Sequence, residues 1–173
     1  MKKLLYLIII LPLLSTWSCS HHVNCCTPPK PPATITAQKN GTDWEPLFAG
    51  ATFSNSDSLS ISATSAVFQS NAYNKIDTLN IKIAYTSPGT YPLKGNQAFY
   101  GVFNNNAVTG YKMDGTYNNV IVITGYERLS NNNSTAPDQV KITGTFSIMF
   151  VDPNNSSGIN FQNGNFYVLV PYL

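Results

Sequence analysis

Eight carboxylates are the groups through which this chain could do acid–base chemistry: Asp43, Glu45, Asp57, Asp77, Asp114, Glu127, Asp138 and Asp152. Both histidines and all three cysteines fall before residue 27. From there on, no imidazole or thiol can serve as base, nucleophile or zinc ligand. That removes Ser-His-Asp and Cys-His catalysis, and any His-ligated catalytic zinc, from the rest of the chain. No glycine-rich loop opens a helix, so the usual phosphate cradles are missing too. A glycan hydrolase needs only two carboxyl groups about 5–10 Å apart, a separation that chain spacing does not fix. A base working near neutral pH would need its pKa raised by about 2–3 units through burial or a like charge. Most of the eight lie beside turns or at expected strand openings, the ordinary places for an exposed or capping Asp. Carboxylate-dependent glycan hydrolysis is therefore the rival reading, not the first.

Weaker constellations remain. Asp152-x-Asn154-x-Ser156-x-Gly158 spaces oxygen donors like a calcium loop but lacks further carboxylates, so a polar turn is expected and no metal is assigned. Trp44, Tyr100, Tyr111, Tyr117 and Tyr126 lie near turns or off the clearest inward phases, and with Asn amides nearby they are the candidate ligand-binding surface. The competing reading is that these aromatics merely cover strand faces. Asp57-Ser58-Leu59 and Asp77-Thr78-Leu79 resemble a three-residue O-glycosylation motif, making Ser58 and Thr78 candidate acceptors.

These residues must be delivered and held. Met1, Lys2 and Lys3 precede the apolar stretch 4–14, too short for the roughly 20 residues of a bilayer span but right for a secretory signal. The stretch ends in Ser15-Thr16-Trp17-Ser18-Cys19, which resembles a bacterial lipobox; Cys19 is the expected lipidation site, and signal cleavage without lipidation is the alternative. Removing residues 1–18 leaves eight basic and eight acidic residues, so nothing steers nucleic acid to this protein. Residues 19–32 carry Pro28, Pro29, Pro31 and Pro32 and read as an extended tether of about 40 Å. His21, His22, Cys25 and Cys26 lie on it, at spacings that do not converge on one tetrahedral ion.

Residues 33–173 read as one all-β domain. Apolar residues alternate with polar ones at Val140, Ile142, Phe146, Ile148 and Phe150, at Leu59, Ile61 and Ala63, and at Leu79, Ile81, Ile83 and Tyr85. Phe166, Val168, Val170 and Tyr172 share a face of the last strand, and the apolar stretch 120–123 implies a strand that is central or covered on both sides. Asn40-Gly41, Asp114-Gly115 and Asn163-Gly164 are hairpin dipeptides, Pro88-Gly89 suits a type II turn, and residues 65–74 could hold a short turn. Polar stretches at 104–106, 131–135 and 153–158 read as loops. The expectation is an antiparallel β-sandwich or partly closed β-barrel of about eight or nine strands with little or no helix.

Taken in order, the lipobox, the tether, Asn40-Gly41-x-x-Trp44, Gly89-Thr-Tyr-Pro-Leu93, Gly144-Thr-Phe-Ser147 and Asn163-Gly-x-Phe166 resemble an uncharacterised group of Bacteroidetes lipoproteins carried as a domain of unknown function. The resemblance implies an all-β envelope lipoprotein with no assigned activity and no catalytic residues to carry over. In that group, surface export goes with acidic residues just after the lipidated cysteine; residues 20–24 contain none, which implies the periplasmic face of the outer membrane. The expected function is non-enzymatic binding without a cofactor. The membrane is engaged through the lipid, and the partner is a glycan, a small molecule or an envelope protein. A purely structural lipoprotein is the third reading.

Overall fold

A strand whose apolar and polar residues alternate offers one face to water and one to a core, and this domain is built almost wholly from such strands. The computed structural model describes residues 33–54, 58–69, 72–104, 107–130, 138–154 and 157–171. They form β1 (Ala33–Lys39), β2 (Thr42–Trp44), β3 (Phe48–Ser54), β4 (Ser58–Gln69), β5 (Ala72–Ala84), β6 (Gly89–Pro92), β7 (Ala98–Asn104), β8 (Ala107–Met113), β9 (Val120–Leu129), β10 (Gln139–Val151) and β11 (Gly158–Pro171). Nine strands run in the continuous order β2-β1-β11-β10-β8-β7-β5-β4-β3, with β6 and β9 branching from β10. The antiparallel sheet curls into a half-barrel, and no helix occurs among the described residues. This is the expected fold class, in its partly closed form.

The alternations read from the sequence fill the inside of the curl. Leu59, Ile61 and Ala63 of β4, Leu79, Ile81 and Ile83 of β5, and Val140, Ile142, Phe146, Ile148 and Phe150 of β10 are all buried. β9 is paired on both edges, by β6 and β10, so its apolar start is central in the sheet; Ile121 and Ile123 are buried, while Val120 and Val122 on the other face are half-buried.

β10 serves two neighbours on one edge. Its first part pairs with β9 as far as Ser147↔Val120, and its last residues pair with β8 at Phe150↔Met113. The backbone groups of Met149, at the fork, need other partners. Asn119, 3% exposed, supplies one, accepting the Met149 N–H at Oδ1 (2.8 Å) while Nδ2 donates to the carbonyl of Asp114 (2.5 Å). The Asp114 N–H donates to the Met149 carbonyl at 2.8 Å. Asp114-Gly115 is thus not the expected hairpin, since β8 and β9 do not pair. Asp114 Oδ1 instead accepts the Thr116 N–H (2.8 Å), an Asx turn that opens the six-residue connection to β9.

Asn163-Gly164 is corrected in a more consequential way. It lies inside β11 and not between strands. Asn163 has φ 51° and carries a β-bulge: Phe146 pairs with Gly164 and Ile148 with Phe161, so β11 spends one extra residue there. Because side chains alternate with period two, the bulge switches the inward phase from the even residues Phe166, Val168 and Val170 to the odd residue Phe161. Two further turns resolve differently from each other. Asn40-Gly41 joins β1 to β2 with φ 52° and 78°, the type I′ signature expected of it. Gly89 has φ 159°, far from the roughly +80° of a type II turn, and opens β6. Residues 65–69 and 72–74 continue β4 and β5 as one long hairpin. Of the expected loops, 131–135 lies outside the described residues.

The C-terminal ends of β1, β4, β7 and β10 all lie at one end of the curl, here called the turn end. Ala33 is at the other, in a cross-strand row with Val168, Ile142 and Tyr126.

Asn119→Ala should lower unfolding free energy by about 2–3 kcal/mol, because it strands the buried Met149 N–H and the carbonyls that its Nδ2 served. A urea titration would show a lower midpoint at unchanged slope; an unshifted midpoint would mean the fork does not depend on this amide.

Candidate functional site

Two ionisable side chains lie on the inward phase of their strands. Asp77 shares parity with Leu79, Ile81 and Ile83 on β5, and Lys39 shares it with Ile35 and Ala37 on β1. Lys39 pairs with Phe161, so the β11 bulge aligns the inward faces of the two strands at this level. The curl then brings β1, β2, β5 and β7 together around one carboxylate.

Asp77 is 5% exposed. Its Oδ2 accepts the Lys39 ammonium directly and the Tyr100 hydroxyl at 2.7 Å. Its Oδ1 accepts the Trp44 Nε1–H at 3.3 Å. Lys39 Nζ also donates to the Tyr100 hydroxyl at 3.1 Å and sits 5.6 Å from the centre of its ring. Both carboxylate oxygens are thus matched by donors from three strands, which is what a buried charge requires.

Aromatic rings wall this cluster. Phe161 meets Trp44 edge-on at 5.1 Å and Tyr100 at 5.2 Å, and Phe150 meets Tyr100 at 5.9 Å. Tyr111 packs on Tyr100 at 5.4 Å from the facing position on β8. The Tyr100 phenol is pushed well above its usual pKa, first by burial and then by the hydrogen bond it donates to Asp77.

The five aromatics proposed as a ligand surface therefore do not form one. Trp44 and Tyr100 are core residues holding Asp77, with Tyr111 half-buried behind them. Tyr117 sits on the β8–β9 connection, its hydroxyl 3.2 Å from Ser147 Oγ. Tyr126, 42% exposed, is at the Ala33 end, past the β9 bulge at Thr124, and stacks on Tyr85 at 6.0 Å and 16°. Burial, with the nearby Tyr91 and Tyr126, raises Tyr85 to about 12.

The expectation that carboxylates sit at strand openings fails for Asp77, which is mid-strand and buried because its donors lie on strands remote in sequence. Asp152 is also buried, and its Oδ1 accepts the Asn154 N–H at 2.8 Å, a turn-forming bond. Asp114 is held below the usual carboxylate range by the N–H and then the hydroxyl of Thr116. Glu127 accepts from Lys141 at 2.6 Å, and Asp138 lies 4.0 Å from Arg128. Asp43 and Glu45 are exposed and flank Trp44, lining a shallow depression of about 360 Å³ with Gln38 and Asn163. Among the described residues, no three His, Cys, Asp or Glu side chains are grouped to hold a metal ion.

Ser58 opens β4 half-buried, and Thr78 lies on the outer face of β5, 3.2 Å from Thr64 Oγ1. Cys19, His21, His22, Cys25, Cys26 and Asp57 lie outside the described residues.

On the outer face at the turn end, one cross-strand row reads Ala66, Ile76, Phe103, Val108. Val108 is 73% exposed, and Phe48 on neighbouring β3 is 62% exposed. Beside the row, the ring of Phe99 lies over Gly101 and Gly110; a Cβ at Gly101 would come within 2.9 Å of it. Sequence reading missed this strip, because its members come singly from four strands.

Fold and site together define a half-barrel domain whose polar centre is a buried ion pair and whose outer apolar strip lies at the turn end. Residues 31–170 match the family described as Domain of unknown function (DUF6252), and the chain belongs to it. No curated protein and no solved structure matches the chain.

Alkaline titration tests the burial of the two core phenols. Raised native pKa values mean that the fold favours the neutral phenol, so this stability is complete below about pH 10 and drains as pH rises through the native values. Absorbance of tyrosinate should show Tyr85 and Tyr100 still un-ionised at about pH 11 and released only with unfolding. Their ionisation near pH 10 with circular dichroism unchanged would contradict the burial described.

Proposed function

We propose that this chain is a lipid-anchored envelope protein of the Bacteroidetes type, tethered through Cys19 at the periplasmic face of the outer membrane, whose half-barrel binds a protein partner and turns over no substrate. The observation that carries the reading is the pair of exposed apolar side chains Phe103 and Val108, opposite each other on β7 and β8, with Phe48 exposed on the same outer face. Apolar side chains gathered on an outer sheet face mark interaction sites. The pair lies at the turn end, opposite Ala33. The carboxylates support the non-enzymatic half. Asp77, Asp114, Glu127 and Asp152 are each engaged in bonds that hold strands or turns together.

One observation favours a second reading. Asp43 and Glu45 are two residues apart on β2 and its continuation and line one depression. That spacing along an extended strand is about 7 Å, within the range for carboxyl groups flanking a glycosidic bond.

Cys19→Ala should move the protein from the membrane to the soluble fraction, and an unmodified Cys19 in native material would sink the anchor. Phe103→Ser with Val108→Ser should weaken capture of a cross-linked envelope protein by about tenfold or more while leaving the circular dichroism spectrum unchanged. Undiminished capture would remove the strip from the proposal. Turnover of a glycan substrate, lost in Glu45→Gln, would replace binding with hydrolysis.

A further inference from the structure

Lys39, Asp77 and Tyr100 are arranged for more than an ion pair. The Lys39 ammonium touches Asp77 Oδ2, and a second route joins the same two atoms: Nζ donates to the Tyr100 hydroxyl (3.1 Å), which donates to Oδ2 (2.7 Å). The other carboxylate oxygen, Oδ1, faces the Trp44 indole N–H. Nucleophile, electrophile, proton relay and a donor for developing negative charge therefore meet at one carboxyl group. We propose that Lys39 and Asp77 condense to an intramolecular isopeptide bond, a covalent link between β1 and β5 across the interior of the half-barrel.

The step balances without a co-reactant. One proton passes from the ammonium to Oδ2 across the direct contact, leaving an amine against a carboxylic acid. Nζ attacks Cγ, and negative charge gathers on Oδ1, where the Trp44 N–H stabilises it as an oxyanion-hole donor does. A second proton leaves Nζ for the Tyr100 oxygen as the Tyr100 proton moves to Oδ2. The Cγ–Oδ2 bond breaks, Oδ2 departs as water with two protons, and the third stays on the amide nitrogen.

Amide formation is uphill between free groups in water, but the fold changes both terms. Phe150, Phe161, Trp44 and the Tyr100 ring pack against one another beside the pair, and Asp77 is buried. Reactants held in contact gain an effective molarity of about 10⁵ M or more. Asp77 is buried, while the Lys39 side chain keeps 24% of its surface exposed, giving the released water an outlet. The partners are 38 residues apart, so the bond would close a loop from the first described strand through β2, β3 and β4 to β5. It would tie β1 to the far wall of a sheet whose end strands, β2 and β3, do not pair.

Mass spectrometry of the purified folded protein decides this. Proteolysis should yield one branched peptide joining the Lys39 and Asp77 segments, about 18 Da (one water) lighter than the two linear peptides together. Full recovery of both linear peptides from folded wild-type protein overturns the proposal, whatever the variants do. Lys39→Arg, whose guanidinium keeps the charge, should abolish the branched peptide; a water deficit persisting in it would place the loss elsewhere and equally overturn the link. Tyr100→Phe, followed by pulse-chase from synthesis of the unlinked chain, should slow bond formation by about a hundredfold. An unchanged rate would remove Tyr100 from the relay.

Discussion

A carboxylate placed inside an apolar half-barrel must be met by donors on every oxygen, and Asp77 meets that demand from three other strands. Lys39 comes from β1, Trp44 from β2 and Tyr100 from β7. Removing one partner of a buried pair leaves an uncompensated charge and costs about 3–5 kcal/mol. The geometry of these four strands is therefore fixed more tightly here than the apolar core alone would fix it. Apolar contacts tolerate small slips; a hydrogen-bonded carboxylate does not.

That geometry depends in turn on a single extra residue. β10 keeps one inward phase throughout, from Val140 to Phe150. β11 beside it changes phase at Asn163, so Phe161 reaches the interior to meet Trp44 and Tyr100. Without the bulge, Gln162 would face the aromatic cluster and Phe161 the solvent. Asn tolerates φ 51° better than most residues, because its short side chain bonds locally; here Asn163 Nδ2 donates to Gln38 Oε1 at 3.0 Å.

The legible part of the sequence was whatever one strand states by itself. The alternation of β4, β5 and β10 gave the core, and Asn40-Gly41 gave a hairpin whose φ values follow from its two residue types. What could not be read depends on neighbours. Asn163-Gly164 has the same residue types as a hairpin, and only the continuous pairing of β10 past it shows that the strand goes on. Asp114-Gly115 misled similarly, because the fork at Met149 needs β8 and β9 on one edge of β10. Lys39 and Asp77 did leave a trace. Each is an ionisable residue on the apolar parity of its strand, and pairing two such exceptions would have marked the site. Their neighbours Trp44 and Tyr100 lie close to turns, which suggests surface, while their contacts with Asp77 are made by strands remote in sequence.

The two ends of the half-barrel differ in how they are closed, and this bears on what each can do. At the Ala33 end, Tyr85 is packed among Phe53, Tyr91 and Tyr126, and the Tyr91 hydroxyl is bound to the backbone at Ser87. Those polar atoms are spent locally. At the turn end the interior closes on an ion pair, and the outer face above it carries the exposed side chains of Phe103 and Val108. Rigid support and exposed apolar area thus occur on the same strands, β5 and β7: their inward residues hold Asp77 and Tyr100, and their outward residues present Ile76 and Phe103. If the strip binds as proposed, strands pinned at Asp77 would lose little conformational freedom when it is covered, the condition under which modest apolar area becomes usable affinity.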